Sequence, residues 1–204
     1  MIRSLVFTTQ GRLHSKDIEM FLMPTLLSDT NLFLWVDLES PTAEETKYVL
    51  EDVFHFHPLS IEDCVTASPS PKVDEYSPKE EDHFTPYLFI VIHAVDYSRK
   101  DGVFATSELN FFLGRNFLVT YHEGPSRSVT VTEERALKSS VHIARAPDRV
   151  AYNLLDAIVE NYMHQFTSGQ EKVEMFNELA IRLLTPRANA MYKNAGQTFF
   201  SYEK

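Results

Sequence analysis

Leu32-Phe33-Leu34-Trp35-Val36-Asp37-Leu38, then Ser40-Pro41 and Glu44-Glu45, then Phe54-His55-Phe56-His57-Pro58-Leu59-Ser60-Ile61-Glu62-Asp63-Cys64, is the stretch that decides the fold. Its first run is almost continuously apolar, the pattern of a strand covered on both faces. Ser40 stands where a helix cap is needed and Pro41 where the first helical residue would fall. Glu44 and Glu45 then lie in the first turn, where the helix dipole favours negative charge. Thr46, Leu50, Val53 and Phe54 form an inward stripe at helical spacing. Pro58 opens a second short helix carrying Glu62 and Asp63.

Working outward, Ile2 to Thr9 alternates as a first strand, Gly11 supplies a turn, and Arg12 to His14 returns as a short second strand. Asp17 to Leu27 reads as a short amphipathic helix with Ile18, Phe21, Leu22 and Leu26 on one side. Pro69, Pro71, Pro78 and Pro86 exclude regular helix from residues 68–86 and leave a loop, with a short strand at Lys72 to Tyr76. Pro86 to Val95, Phe104 to Leu113 and Asn116 to His122 follow as three strands. Asp101-Gly102 marks a hairpin between the first two, and Gly114-Arg115-Asn116 turns tightly between the last two. From Pro125 the spacing turns helical, with one helix over Ser128 to Val141. A long one opens at Pro147 with Ala151, Leu154, Leu155, Ile158, Tyr162 and Phe166 as its stripe. Helix continues past Gly169 to Leu183, and Ala188 to Tyr202 makes one more.

Strands first and centrally, with helices between and after them, predict an α/β (α+β) fold: a mixed central sheet between helical layers. We expect residues 1–146 to form an α/β/α body and 147–204 a helical extension.

The chain has 204 residues and a net charge of −10. Residues 37–82 alone hold 13 acidic and 3 basic side chains. Such a surface attracts cations or basic partners and disfavours nucleic acid, whose phosphates need a basic face. Cys64 is the single cysteine, which excludes an internal disulfide and suits a small packing residue. The N-terminus lacks the apolar core of a secretory signal. The longest apolar run, Tyr87 to Val95, is far short of the roughly 20 residues that span a bilayer. Six scattered glycines make no phosphate-binding loop, and no Gly-x-Ser-x-Gly elbow is present, so an enzyme is not expected.

Hard oxygen donors for magnesium occur at Asp96 and Asp101, at Glu62 and Asp63, and in the run Glu80-Glu81-Asp82. His55, His57 and His83 with Asp63 form the alternative, zinc-like set, although His57 equally suits a cap at the Pro58 turn.

The order of motifs resembles the cytoplasmic domain of the CorA family of magnesium and cobalt channels. The resemblance rests on Trp35-Val36-Asp37-Leu38 with the following proline and glutamates, and on His57-Pro58-Leu59-Ser60-Ile61-Glu62-Asp63. Lys72-Val73-Asp74-Glu75-Tyr76, Tyr87-Leu88-Phe89-Ile90-Val91, Phe111-Phe112-Leu113-Gly114-Arg115-Asn116-Phe117-Leu118-Val119-Thr120-Tyr121-His122 and Leu154-Leu155-Asp156-Ala157-Ile158-Val159 extend it over most of residues 1–167. The family's Gly-Met-Asn transport motif and its two membrane helices do not occur in these residues.

The resemblance implies the soluble regulatory domain of a divalent-cation channel. It implies a homopentamer in the full-length protein, a place on the cytoplasmic face of the cell membrane, and membrane contact only through segments outside this chain. It also implies an intersubunit metal site for Mg2+, or for Co2+ or Zn2+ in related branches. One ligand of that site would lie near the end of the Tyr87–Val91 strand, which points to Asp96 and Asp101; its stalk partner would lie beyond Lys204. The alternatives are a zinc-transporting relative and a free-standing cation-binding module without transport. The transported ion and the direction of transport stay open at this point.

Overall fold

The computed structural model describes residues 1–67, 70–79, 84–94, 99–100, 103–104 and 106–165. The apolar run centred on Trp35 forms β3 (Leu32–Glu39), and it lies in the interior of a seven-stranded sheet. The other strands are β1 (Ile2–Thr8), β2 (Leu13–Lys16), β4 (Lys72–Tyr76), β5 (Tyr87–Ala94), β8 (Ser107–Gly114) and β9 (Phe117–His122), in the spatial order β2-β1-β3-β9-β8-β5-β4. Among the described strands only β3 and β9 run parallel, with Trp35 opposite Leu118 and Asp37 opposite Thr120. The strand expected from Phe104 begins instead at Ser107. Arg99–Lys100 (β6) and Val103–Phe104 (β7) pair with each other in a separate two-stranded ribbon.

Strand geometry sends alternate side chains to opposite faces. Leu34, Val36 and Leu38 point to one core, together with Phe89, Val91, Phe112, Phe117 and Val119. That face is closed by α1 (Met23–Ser28), α2 (Ala43–Thr46, continued as a wider turn over Lys47–Val53) and α3 (Pro58–Val65). Phe33 and Trp35 point to a second core with Leu5, Phe7, Leu109, Phe111 and Leu118. Its cover comes from α4 (Arg127–Lys138), α5 (Ser140–Ile143) and α6 (Pro147–Gln165). The mixed sheet between helical layers is therefore as expected.

Three local expectations change. Pro24 sits at the start of α1, so regular helix covers only Met23–Ser28, after a single tight turn at Met20–Leu22. Phe21 is consequently 67% exposed, whereas Ile18 and Leu26 do pack on the core. The helix cap is Thr42 rather than Ser40. Thr42 Oγ1 accepts from the Glu45 amide (3.2 Å) and the Glu45 carboxylate accepts from the Thr42 amide (2.9 Å), a reciprocal capping box. The helix then widens by one residue per turn, so that the Phe54 amide bonds the Val49 carbonyl, and it ends at His55 in the left-handed region. Thr46, Leu50, Val53 and Phe54 are all buried, as the stripe predicts.

Five rings, Phe54, Phe56, Tyr87, Phe112 and Phe117, fill the α3 side of the sheet with Phe56 at the centre, 4.2 Å from Phe112 and 4.7 Å from Tyr87. Aromatic pairs at these separations add packing energy beyond area alone.

Candidate functional site

Polar chemistry in the described residues concentrates in two places. The first is the end of β3 and β9 on the α4 face. Asp37 is in register with Arg3 on β1 and with Thr120 on β9, and Glu39 is in register with His122. All five strand positions face α4, so a single carboxylate collects several donors. Asp37 Oδ2 accepts from Arg3 Nη2 (2.7 Å). Asp37 Oδ1 accepts from the Thr120 hydroxyl (2.5 Å) and faces His122 Nε2 (3.2 Å). The Trp35 indole N–H donates to Thr120 Oγ1 (3.2 Å) and completes the chain. Arg3 also reaches Glu39 (3.3 Å) and Glu133 of α4 (3.5 Å), and Glu133 in turn pairs with Lys16 (2.9 Å).

Asp37 is 4% exposed. Burial alone would raise its pKa; the His122 hydrogen bond and charge, Thr120 and Arg3 outweigh that and hold the carboxyl below the ordinary aspartate range. His122 shows the mirror image. Burial pulls its pKa down, but Asp37, the Gly124 carbonyl and Glu39 carry it above the usual histidine range.

The second place is the rim between α3 and β4. Lys72 contacts Asp63 and lies 3.1 Å from Asp74, with its ammonium 5.4 Å above the Phe89 ring. Burial opposes its charge, yet the two carboxylates hold Lys72 above the ordinary lysine range. A lysine therefore already neutralises Asp63. Its neighbour Glu62 lies exposed in an open depression of about 660 Å³ with Glu51, His55 and Ile61.

Among the described members of the zinc-like set, His55, His57 and Asp63 do not converge on one point. His57 is the N-cap of α3: its Nδ1 accepts from the Leu59 amide (3.2 Å), and its ring packs against Tyr76 and Phe84. His55 is exposed beside it. His83 and the run Glu80-Glu81-Asp82 lie outside the described residues, as do Asp96, Asp101 and the chain beyond Gln165. Among the described residues no three His, Cys, Asp or Glu side chains converge to hold a metal ion, and no helix is long and apolar enough to cross a membrane. Cys64 is buried on α3, and burial together with Glu108 and Asp63 pushes its thiol well above the ordinary range, which suits packing and not nucleophilic work. Two buried side-chain atoms within the described residues lack hydrogen-bond partners: His93 Nε2 on β5 and Asn110 Oδ1 on β8.

The model of the CorA-like Mg2+ transporter protein family matches residues 31–191, from the Leu32 strand past the end of α6. The chain belongs to this family. A Bacillus subtilis (strain 168) protein, YfjQ, named as a metal ion transporter, is 34% identical over 128 residues, which is 63% of this chain and 36% of that protein. The cobalt/magnesium transport protein CorA of Thermotoga maritima is 20% identical over 151 residues, 74% of this chain and 41% of its own length. The soluble domain of CorA from Methanocaldococcus jannaschii superposes with a TM-score of 0.57 over 87% of this chain and 64% of that domain, at 15% identity, a likeness of fold. The chain thus spans well under half the length of these two transporters. Within the CorA-like frame, Asp37 is the acid of the Trp-Val-Asp-Leu motif and His122 closes the β8–β9 hairpin motif, so the buried network joins two of the segments on which the resemblance rests.

Sequence reasoning named Asp37 and His122 within motifs but did not connect them. The available signal was a charged residue in an otherwise apolar, doubly covered strand, because a buried carboxylate requires partners.

Proposed function

We propose that this chain is the cytoplasmic regulatory domain of a CorA-like magnesium/cobalt transporter, which senses divalent cations and gates transport by binding them. The observation that carries the reading is the family match across residues 31–191. The net charge of −10, concentrated in residues 37–82, supports a cation-attracting surface. In this reading residues 1–146 form the sensing body, and residues 147–204 are a helical extension whose first part, α6, packs on that body before the chain continues towards stalk and membrane segments of a homopentamer. The domain works by binding and not by turnover.

Asp96 and Asp101 supply carboxylate oxygens for Mg2+ or Co2+, with the remaining ligands from a neighbouring subunit and water. A site shared between subunits would let each chain supply one or two carboxylates to an ion that keeps several waters. Bound ions neutralise facing carboxylates and hold subunits together; ion loss restores like-charge repulsion and frees them to move.

A zinc-sensing version is favoured by one feature. His93 Nε2 at the end of β5, three positions before Asp96, is buried without a partner, and an imidazole nitrogen suits zinc better than magnesium.

Thermal melts of wild type and Asp96→Ala/Asp101→Ala with millimolar MgCl2, CoCl2 or micromolar ZnCl2 test both versions. A wild-type shift that the double variant loses supports the site. Equal shifts in both sink the assignment. A zinc-only shift abolished by His93→Ala selects the zinc version. Reading the source gene past the Lys204 codon tests the transporter context. Two close hydrophobic segments, the first ending in Gly-Met-Asn, support it, and a stop codon favours a free-standing cation-binding module.

A further inference from the structure

His122 presents both ring nitrogens to acceptors. Nδ1 lies 2.6 Å from the Gly124 carbonyl, which can only accept. Nε2 lies 3.2 Å from Asp37 Oδ1, a carboxylate that already accepts from Thr120 and, through Oδ2, from Arg3. A neutral imidazole carries one N–H, so it would satisfy one of these contacts and aim a lone pair at the other. At 2% exposure no water can mediate that conflict cheaply.

The surrounding charges lead to the same answer. Asp37 and Glu39 of β3 and Glu133 of α4 face Arg3 of β1 and Lys16 of β2 in one linked network. With Asp17 beside Lys16 and the Met1 ammonium at the Glu39 carbonyl also counted, the acids still outnumber the fixed positive charges, so the surroundings favour a charged His122. The strand on its other side, β8, presents apolar Leu109 in register with it. Glu123 turns towards the Tyr121 hydroxyl, and Glu160 of α6 pairs outward with Arg135.

The same histidine sits at a mechanical junction. The Ser40 amide donates to the His122 carbonyl (2.9 Å), and the Gly124 amide donates to Ser40 Oγ (2.8 Å). Ser40 holds φ 41°, a region that non-glycine residues adopt only rarely, opposite Gly124 at φ 72°, which glycine adopts freely. Two residues later Ser126 caps α4, which packs on α6.

We propose that His122 is a resident imidazolium whose two N–H groups latch the turn 122–124 to the end of β3, and that removing this one proton releases the start of α4. Its pKa, raised above that of a free histidine, gives the sign. The latch contributes fully below the unfolded-state value of about 6.5 and is lost as pH rises through the folded-state value above it. The device therefore acts on the alkaline side. It stands whether or not the chain binds divalent cations.

Long-range 1H–15N spectra of the uniformly labelled 204-residue chain between pH 6 and 10 report each imidazole's protonation directly. One histidine, assigned through its contact with the Gly124 region, should keep both nitrogens protonated at a pH where a free imidazole has lost a proton. Asp37→Asn should move that titration down towards the free-imidazole value. Amide-exchange protection of Gly124, Val129 and Thr130 should fall in step with His122 deprotonation in wild type. A singly protonated His122 at pH 7 overturns the proposal. So does a high titration point that leaves Gly124 and Val129 protection unmoved. If Asp37→Asn does not fold, the two wild-type titrations decide alone.

Discussion

Asn161 of α6 donates through Nδ2 to Ser128 Oγ in the first turn of α4 across 2.9 Å, with both residues buried. This bond ties the last described helix to the helix that covers the Asp37 network. Ser128 in turn accepts at its carbonyl from the Thr132 hydroxyl (2.8 Å), so the pair sits in a small polar seam inside an apolar interface. Asn161→Leu leaves the Ser128 hydroxyl without that partner, and we expect a loss of about 1–3 kcal/mol. Urea unfolding followed by circular dichroism checks it; an unchanged midpoint would show that the seam contributes nothing.

Replacing Asp37 should be among the most damaging single changes. Asp37→Ala leaves Arg3 and His122 without their shared counter-charge in a buried place, a cost of about 3–5 kcal/mol. The pH dependence is specific. The Asp37 carboxyl is depressed in the folded state, so its contribution is present above the ordinary aspartate range and disappears as pH falls through the lower folded value. The stability gap between wild type and Asp37→Asn should narrow from pH 6 to pH 3. A gap that stays constant over that range contradicts the ionised-carboxylate reading.

Gly114 has room for no side chain. A Cβ built there would lie 2.3 Å from the Phe117 ring, which is itself buried against Phe54 and Phe56. Gly114→Ala should destabilise by about 1–3 kcal/mol through overpacking. Gly114→Ala with Phe117→Leu should cost less than the sum of the two single changes, because the smaller side chain vacates the clash. Full additivity in denaturant melts would mean that the two residues do not compete for this space.

Phe56 touches four other rings, and Phe56→Ala opens the middle of that cluster. A loss of about 3–5 kcal/mol is expected, visible as a lowered melting temperature.

Cys64 should resist thiol reagents in the native chain, because it is buried and its thiol pKa is raised. Ellman's reagent should react with the unfolded protein in urea and scarcely with the native one. Rapid native labelling would show that α3 opens locally.

The sheet was legible because its strands announce themselves by different routes. Leu32 to Leu38 shows the unbroken apolarity of a doubly covered strand, and Lys72 to Tyr76 survives as β4 in a proline-rich stretch. The Asp17 to Leu27 helix was misread because Phe21 and Leu22 fit a helical stripe by spacing, whereas Pro24 sets the start of the regular helix. Ser40 looks like a cap in sequence, but its hydroxyl is taken by Gly124, 84 positions away, and Thr42 does the capping. The Asp37–His122 contact was invisible for the same reason. It depends on strand register between segments 85 positions apart, and no local pattern encodes register across such a span. Asp96 and Asp101, the metal candidates read from sequence, lie outside the described residues.

The single parallel pairing at the centre of the sheet has a kinetic consequence. Asp37 and Thr120 are 83 positions apart, and every contact between β3 and β9 closes a loop of similar size. Antiparallel β1 and β3 can pair early, but the inner edge of β3 waits for a strand made much later. At synthesis rates of about 5–20 residues per second, that edge stays open for several seconds. During that interval the emerging chain carries an apolar strand with an unpaired side, the kind of template on which nascent proteins aggregate. The segment translated in the meantime is acidic, with 13 acidic and 3 basic side chains over residues 37–82, and like charge on emerging chains opposes such encounters.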